Sequence, residues 1–368
     1  MINSQKDRAK KNPSVFFAVL NMGLGHASRS LPVLWDLVKR NYRLTVGSSG
    51  RSLKFLQKEI PTAEFIQLPD YRFDYGPKGV TISGVLRKLP SLFQLIRQEN
   101  RIVTQRAAAQ NFDVILSDHR YGCYVPGIPS VFISHQLRFI APAGLRIFEF
   151  LGLWFNQFFH RKFTHILIPD EFDGREGMIS GRLSRISPAP HLTFCGTLSS
   201  VTKKSLPEDI DFLFSISGPE PQRTVFECLA RNILPQIPGK KVLTLGKPES
   251  DLVERPSSDV EVYHHPTREK MEKLLNRSKL IISRSGYSTI MELVELRKRA
   301  LLIPTPGQTE QVYLAHRTQN KGWFHWISQN DLTSPKHLMN TYHSKKIDWK
   351  FSTPSTLNRV HRILEKVL

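Results

Sequence analysis

The stretch from Ser14 to Ser49 constrains this chain more than any other. SVFFAVLNM (14–22) is a short, continuous apolar run closed by Gly23-Leu24-Gly25. Residues Ser28 to Arg40 then carry Leu31, Val33, Leu34, Leu37 and Val38 along one helical stripe, and YRLTVGSS (42–49) follows as a second apolar run. Strand, tight glycine turn, amphipathic helix and strand make a βαβ unit, which implies a parallel sheet. AEFIQLP (63–69), FDVILSD (112–118), SVFISH (130–135), HILIPD (165–170) and HLTFCG (191–196) read as further strands, with helical stretches over 83–110 and 143–163.

SSVTKKSLPED (199–209) is polar and contains a proline, and it marks the expected domain boundary, giving domains 1–200 and 201–368. The pattern then restarts. FLFSIS (212–217) leads into a Gly218-Pro219 turn and a helix within VFECLARNILPQI (225–237). Strands KKVLTLG (240–246) and VEVYHH (260–265) come next, then a helix over Thr267–Asn276. Strand KLIISRSG (279–286), a helix over Ser288–Leu296 and strand RALLIP (299–304) complete the series, and Ser355–Leu368 reads as a basic amphipathic helix. Two successive α/β domains predict a cleft between them, and open α/β sheets bind ligands at the carboxyl ends of their strands.

The 52 Lys and Arg against 32 Asp and Glu leave a net charge of +20, so an anionic partner is expected: nucleic acid, a lipid surface or a phosphorylated substrate. Nucleic acid is disfavoured, because no RNP, KH or zinc-finger motif is present and the basic residues do not alternate with stacking aromatics. At 40% hydrophobic residues the chain has material for real cores, which excludes whole-chain disorder. Cys123, Cys195 and Cys228 form no CxxC pair, so a disulfide scaffold and a structural zinc site are not expected, and all three read as packing residues. Residues 1–13 read as a disordered basic lead, and no window suggests a signal peptide or a membrane span. The expectation is a cytoplasmic protein. Val85–Arg106 mixes Leu86, Leu89, Leu92 and Phe93 with Arg87, Lys88, Arg97 and Arg101, and 145–163 is LRIFEFLGLWFNQFFHRKF. Both compositions suit a helix lying on an anionic membrane surface, and both equally suit helices that bury these faces in the first domain.

Two constellations carry chemistry. Gly23-Leu24-Gly25-His26-Ala27-Ser28-Arg29 follows a strand and opens a helix, so its amides and the helix dipole favour an anion. Ser28 stands where a dinucleotide fingerprint needs its third glycine, and no acid ends the next strand, which argues against NAD. The glycines also read simply as a tight turn, but an imidazole at a helix start beside a cleft suits proton transfer. Ser283-Arg284-Ser285-Gly286-Tyr287-Ser288-Thr289 offers amides to a phosphate, and Glu292, one turn on, is placed to hold two vicinal hydroxyls. The alternative there is Ser288 as a helix cap and Glu292 as a surface side chain, which the spacing leaves open. Gln308 and Gln311 follow in a polar turn and suit sugar hydroxyls.

GLGHASR near the amino end and SRSGYSTIMELVELRKRALLIPTPGQTEQVYLA near the carboxyl end resemble glycosyltransferase family 28. The resemblance implies the GT-B fold, two Rossmann-like domains facing each other across a cleft, with acceptor on the first and a nucleotide sugar, usually UDP-linked, on the second. It implies inverting transfer without a bound metal or other cofactor, and an acceptor hydroxyl on a lipid or cell-envelope glycan. By position, Glu292 would hold the donor ribose, Ser285, Gly286 and Thr289 the phosphates, and Gln311 with Gln308 the donor sugar. Gly218 matches the family's phosphate-facing turn; the usual Gly or Ser residues beside it are absent, and Arg223 is the candidate to supply charge instead. His265 lies near where the family cradles the base. Leu314 stands where the family has Asn, and the first loop has fewer glycines than the peptidoglycan enzyme. In the first domain His26 is the candidate base and Asp118 its orienting acid, with Gly23, Gly25 and Arg29 shaping the acceptor loop. His135 ends a strand facing the same cleft, where a satisfied structural histidine is the alternative. A nucleotide-sugar hydrolase or 2-epimerase on the same fold would share the donor site.

Overall fold

The computed structural model describes residues 12–71, 82–140, 149–185 and 191–368, without the side chains of 82–88. The basic lead over 1–11, the start of the 143–163 helix, and Leu86, Arg87 and Lys88 of the basic stretch lie outside that description. The chain forms two parallel sheets, each covered by helices on both faces, as the alternating pattern requires.

The first unit runs β1 (Ser14–Val19), α1 (Gly25–Lys39), β2 (Arg43–Ser48), α2 (Gly50–Glu59), β3 (Glu64–Gln67), α3 (Ile82–Gln110), β4 (Val114–Asp118), β5 (Ser130–Ile133), α4 (Glu149–His160) and β6 (His165–Ile168). A small hairpin, β7 (Phe172–Asp173) with β8 (Glu176–Gly177), precedes β9 (Leu192–Phe194). The sheet order is β3-β2-β1-β4-β5-β6-β9, all pairs parallel. All six residues of β1 are buried, which is why it reads as an unbroken apolar run.

The second unit runs β10 (Ile210–Ser215), α5 (Gln222–Ile233), β11 (Lys241–Thr244), β12 (Val253–Ser257), β13 (Val260–Tyr263), α6 (Arg268–Arg277), β14 (Ser278–Ser283), α7 (Tyr287–Leu296), β15 (Arg299–Leu302), α8 (Thr309–Asn320), β16 (His325–Trp326), α9 (Lys336–Tyr342) and α10 (Thr353–Val367). Its order is β12-β13-β11-β10-β14-β15-β16, and only the edge strand β12 runs antiparallel.

Both sheets reverse their strand order beside the first strand, between β1 and β4 and between β10 and β14. A crevice opens at such a switch point, because the loops leaving the two strands diverge to opposite faces. In the register, Val19 lies opposite Asp118 and Ser215 opposite Ser283, so the glycine turns and the acid all emerge at these crevices.

Four features differ from the sequence reading. The final helix was assigned to the second domain, but Val360 and Leu364 of α10 are buried in the first domain's core, with Leu357, Ile363 and Val367 packed beside them. α10 crosses back because its apolar stripe completes the cover over α1. Its start is held from the second domain, where the Thr353 amide donates to Glu295 Oε2 at 3.1 Å. α1 begins at Gly25, three residues early, so the glycine turn forms its first turn. α2 was not anticipated: only Ser52 and Leu56 of its residues are buried, too few for a periodic signal. Cys228, read as packing, is exposed on α5, while Cys123 and Cys195 are buried. Among the described residues no helix is long and apolar enough to cross a membrane.

Candidate active site

The first turns of α1 present His26, Arg29 and Ser30 on one face, because residues three and four apart on a helix are neighbours. All three converge on Asp118 at the end of β4. His26 Nδ1 lies 2.8 Å from Asp118 Oδ1, Arg29 Nε donates to Oδ2 at 2.8 Å, and the Ser30 hydroxyl donates to Oδ2 at 2.8 Å. A second Arg29 nitrogen, Nη2, also bonds Oδ1. All four residues are buried. Burial works against ionisation of Asp118, but the Arg29 guanidinium and then His26 outweigh it and hold its carboxyl well below the usual range. Arg29 Nη2 also lies 3.0 Å from His26 Nδ1, but the ionised carboxylate is nearer and can only accept, so Nδ1 carries the proton and Nε2, which has no partner among the described residues, is left to accept. Burial, then Arg29, pushes the His26 pKa down, so the ring is neutral near pH 7 and able to accept a proton.

His119 follows Asp118 at φ +61, a left-handed conformation unusual for a residue with a side chain, and its Nδ1 is buried without a partner among the described residues. Donor atoms of His26, Asp118 and His119 all lie within 4.8 Å of one another, the spacing of a metal site. Arg29 already binds both carboxylate oxygens and competes with a cation for them, so the group suits proton handling better than ion binding.

His135, at the end of β5, is not free to shape an acceptor loop. Its Nδ1 accepts from Arg29 Nη1 at 2.7 Å, its Nε2 lies 3.0 Å from Glu310 Oε1 of α8, and its ring stacks on Tyr287 of α7 with centroids 3.9 Å apart. It is a buried link between the two domains.

The two chemical constellations meet directly. A Cβ on Gly25 would come within 3.1 Å of Ser288 Oγ, whose hydroxyl donates to the Gly25 carbonyl at 2.9 Å. Ser288 is thus a contact across the cleft and not the helix cap; Gly286 holds the cap position of α7. Gly23 adopts φ +67 with open space around it, so its glycine serves the turn itself. Glu292 is not on an open surface. Its Oε1 accepts from Ser200 Oγ at 3.0 Å and Ser28 Oγ at 3.1 Å, and those two hydroxyls are 2.8 Å apart. Burial raises its pKa against the effect of both serines.

The remaining donor candidates line the crevice of the second sheet. Ser285 donates to the Gln311 carbonyl at 2.8 Å, and the Gln311 amide bonds Gln308 and the Thr305 amide, so this loop is knitted to itself. Gly286 and Thr289 sit half-buried at the start of α7. His265, after β13, lies half-buried within electrostatic reach of Lys58 from the first domain; burial and then that lysine lower its pKa. Arg223 does not offer a free charge. Glu220, in the turn before α5, and Glu227, one turn further along the helix, both pair with it.

The cation that sequence reasoning missed is Arg284, at the end of β14. It is 2% exposed and bonds only neutral groups: the carbonyls of Ser217, Gln222, Ile303 and Pro304, and the Gln329 side chain. Among the described residues no carboxylate pairs with it, and burial lowers its pKa to about 10. A Cβ on Gly218, which adopts φ +120, would lie 3.7 Å from Thr305 Oγ1 and 3.8 Å from Arg284 Nε. The Thr305 hydroxyl is buried and unpartnered among the described residues. The crevice thus combines an uncompensated guanidinium, an unused hydroxyl and a glycine turn, and it suits an anion. An arginine inside a strand-end SRSG reads as one more basic residue until its lack of a carboxylate is seen.

Beside the cleft, Phe150, Trp154 and Phe158 recur every four residues along α4, and Phe150 and Trp154 are 60% and 61% exposed. Arg161 and Lys162 follow this ridge, with the Lys162 ammonium 5.9 Å from the Phe158 ring centroid. The other face of the helix buries Asn156, Phe159 and His160, as the packing reading of this stretch expects.

Residues 237–345 match the Glycosyltransferase family 28 C-terminal domain. A segment of 89 residues is 38% identical to a UDP-N-acetylglucosamine--N-acetylmuramyl-(pentapeptide) pyrophosphoryl-undecaprenol N-acetylglucosamine transferase of an Exiguobacterium species, covering 24% of each chain. The similar segment therefore spans about a quarter of that relative's length. The whole fold is similar to the glycotransferase of kitacinnamycin, with a TM-score of 0.62 and 15% identity over 97% of this chain and 95% of that one. It is also similar to Acinetobacter baumannii MurG, with a TM-score of 0.59 and 17% identity over 96% of this chain and 99% of that one. Two facing α/β domains of this kind are the GT-B architecture.

Proposed function

We propose that this chain, whose residues 237–345 match the Glycosyltransferase family 28 C-terminal domain, transfers a sugar from a UDP-linked donor to a hydroxyl acceptor. The observation that carries the proposal is the juxtaposition of the buried His26–Asp118 pair with the donor-type motif of α7, joined at Gly25 and Ser288. In this reading the acceptor hydroxyl gives its proton to His26 Nε2 as its oxygen attacks the anomeric carbon. The bond from that carbon to the diphosphate breaks, and UDP leaves with the electron pair. Attack opposite the leaving group inverts the anomeric centre. The developing charge on UDP is met by Arg284, the Thr305 hydroxyl and the amides around Gly218 and Gly286, fixed before the reaction begins. Glu292 takes the ribose hydroxyls.

The acceptor in this proposal is carried on a lipid or envelope glycan at the inner face of the cell membrane. The exposed aromatic ridge of α4, its trailing basic residues and the +20 charge support peripheral docking with the cleft facing the surface. The test is the melting temperature of the protein across a panel of nucleotide sugars. UDP-sugars raise it more than UMP does, which lacks the second phosphate and the transferred sugar; stabilisation by no UDP-sugar would remove the donor assignment.

A further inference from the structure

We propose that Glu310 is a positioning residue for the His26 base: by meeting His135 it ties the donor-side domain to the His26–Asp118 pair and supplies the second negative charge that the cluster needs when His26 takes a proton. The inference rests on the reading of His26 as the base.

The bonds form one chain across the cleft. Glu310 Oε1 lies 3.0 Å from His135 Nε2, His135 Nδ1 accepts from Arg29 at 2.7 Å, and Arg29 in turn holds Asp118, which holds His26. Because Arg29 has protons only to donate, His135 must accept at Nδ1 and carry its own proton on Nε2, which it gives to Glu310. His135 is therefore neutral and fixed in one tautomer, and it transmits orientation without itself serving as a base.

The charges explain why a second carboxylate is there. Asp118 alone faces two partners, since Arg29 is permanently cationic and His26 becomes cationic in the reaction. With Asp118 only, proton transfer would raise the buried cluster from zero to +1; with the half-buried Glu310 carboxylate at its edge the sum rises from −1 to zero. A buried net charge is costly, so the Glu310 carboxylate favours transfer. The groups facing His26 are Arg29 on α1, Asp118 at the end of β4, His119 just after it, His135 after β5 and Glu310 on α8, with Tyr287 of α7 stacked on His135. Of these only Asp118 and Glu310 carry negative charge near pH 7; the hydrogen bond from His135 outweighs burial and keeps Glu310 ionised. Glu310 belongs to the opposite domain, so the base reaches full strength only when the domains meet.

The experiment uses the full chain with ring-¹³C-labelled histidine, and follows the His26 signal, assigned by its loss in His26→Asn, through a pH titration. Glu310→Gln keeps the size and an oxygen that accepts a bond but removes the charge. Its expected effect is a downward shift of the His26 midpoint by about 0.5–1 pH unit. Glu310→Asp restores charge and holds the midpoint near wild type. The acid limb of turnover, followed as UDP released from a panel of UDP-sugars, shifts in the same direction, with a lower plateau because the base is weaker. A purely structural role would alter stability without moving the midpoint. An unchanged midpoint in Glu310→Gln, with turnover lost in His26→Ala, overturns the inference alone. Full turnover in His26→Ala overturns the base assignment itself.

Discussion

The Ser28 hydroxyl gives the sharpest quantitative expectation. Ser28 and Ser200 present two hydroxyls 2.8 Å apart to the same oxygen of Glu292, the arrangement that a ribose diol offers a carboxylate. If Glu292 holds ribose, a donor must displace them. A hydroxyl bonded to a charged group contributes about 1.5–3 kcal/mol, and since the two serines share one oxygen the lower end applies to either alone. Ser28→Ala removes that bond from the empty protein and nothing from the liganded one. The empty protein is expected to lose about 1–1.5 kcal/mol of stability, and UDP to bind up to about tenfold more tightly, since 1.4 kcal/mol is a factor of ten. Glu292→Gln acts the other way and weakens UDP by about 10–100-fold. Because burial raises the Glu292 pKa, UDP affinity falls as pH drops through that raised value, and does so in wild type but not in Glu292→Gln. Calorimetry with UDP on the three proteins is the assay. A folded Ser28→Ala variant that binds UDP no more tightly than wild type would refute the competition, and an unchanged Glu292→Gln would move the ribose elsewhere.

Asp118→Asn leaves Arg29 buried without its carboxylate, so it is expected to lower stability by about 3–5 kcal/mol in urea unfolding as well as to slow turnover. His26, His119 and His135 all have pKa values lowered by burial, and burial brings His160 to about 4. The unfolded chain takes up these protons first, so stability is full above the unfolded value of about 6.5 and falls below it, by up to about 1.4 kcal/mol per pH unit for each proton; urea midpoints between pH 7 and 5 check this. Replacing Phe150, Trp154 and Phe158 with serine is expected to abolish sedimentation with anionic vesicles at low salt while leaving UDP affinity unchanged, and equal sedimentation of the variant would remove α4 from the docking surface.

The fold was legible in the sequence where strands are buried on both faces, because runs such as VFFAV and LII are then continuously apolar. Elements packed by one or two side chains left no such trace, as with α2, and so did the edge strand β12, which carries Pro256. The crossing of α10 is invisible locally, because an amphipathic stripe does not say which core it covers. His26 and Asp118 could be paired from their places after neighbouring strands; Arg29 between them could not, since it carried no separate signal, nor could the His135–Glu310 link, which depends on how the domains meet. Arg223 and Arg284 illustrate the same limit. Both are arginines beside a strand-end turn, and only the three-dimensional arrangement distinguishes the one neutralised by glutamates from the one left charged.

The central claim is that His26 removes the acceptor proton in sugar transfer from a UDP-linked donor. The direct measurement is recovery of ¹⁴C from a panel of UDP-[¹⁴C]sugars in covalent product, with a crude envelope extract as acceptor, for wild type and His26→Ala. One UDP-sugar is expected to label product with wild type, and His26→Ala to reduce the rate by about 10²–10⁴ while UDP binding stays within about twofold. Label transferred at the wild-type rate by His26→Ala, or by neither protein from any UDP-sugar, would contradict the account.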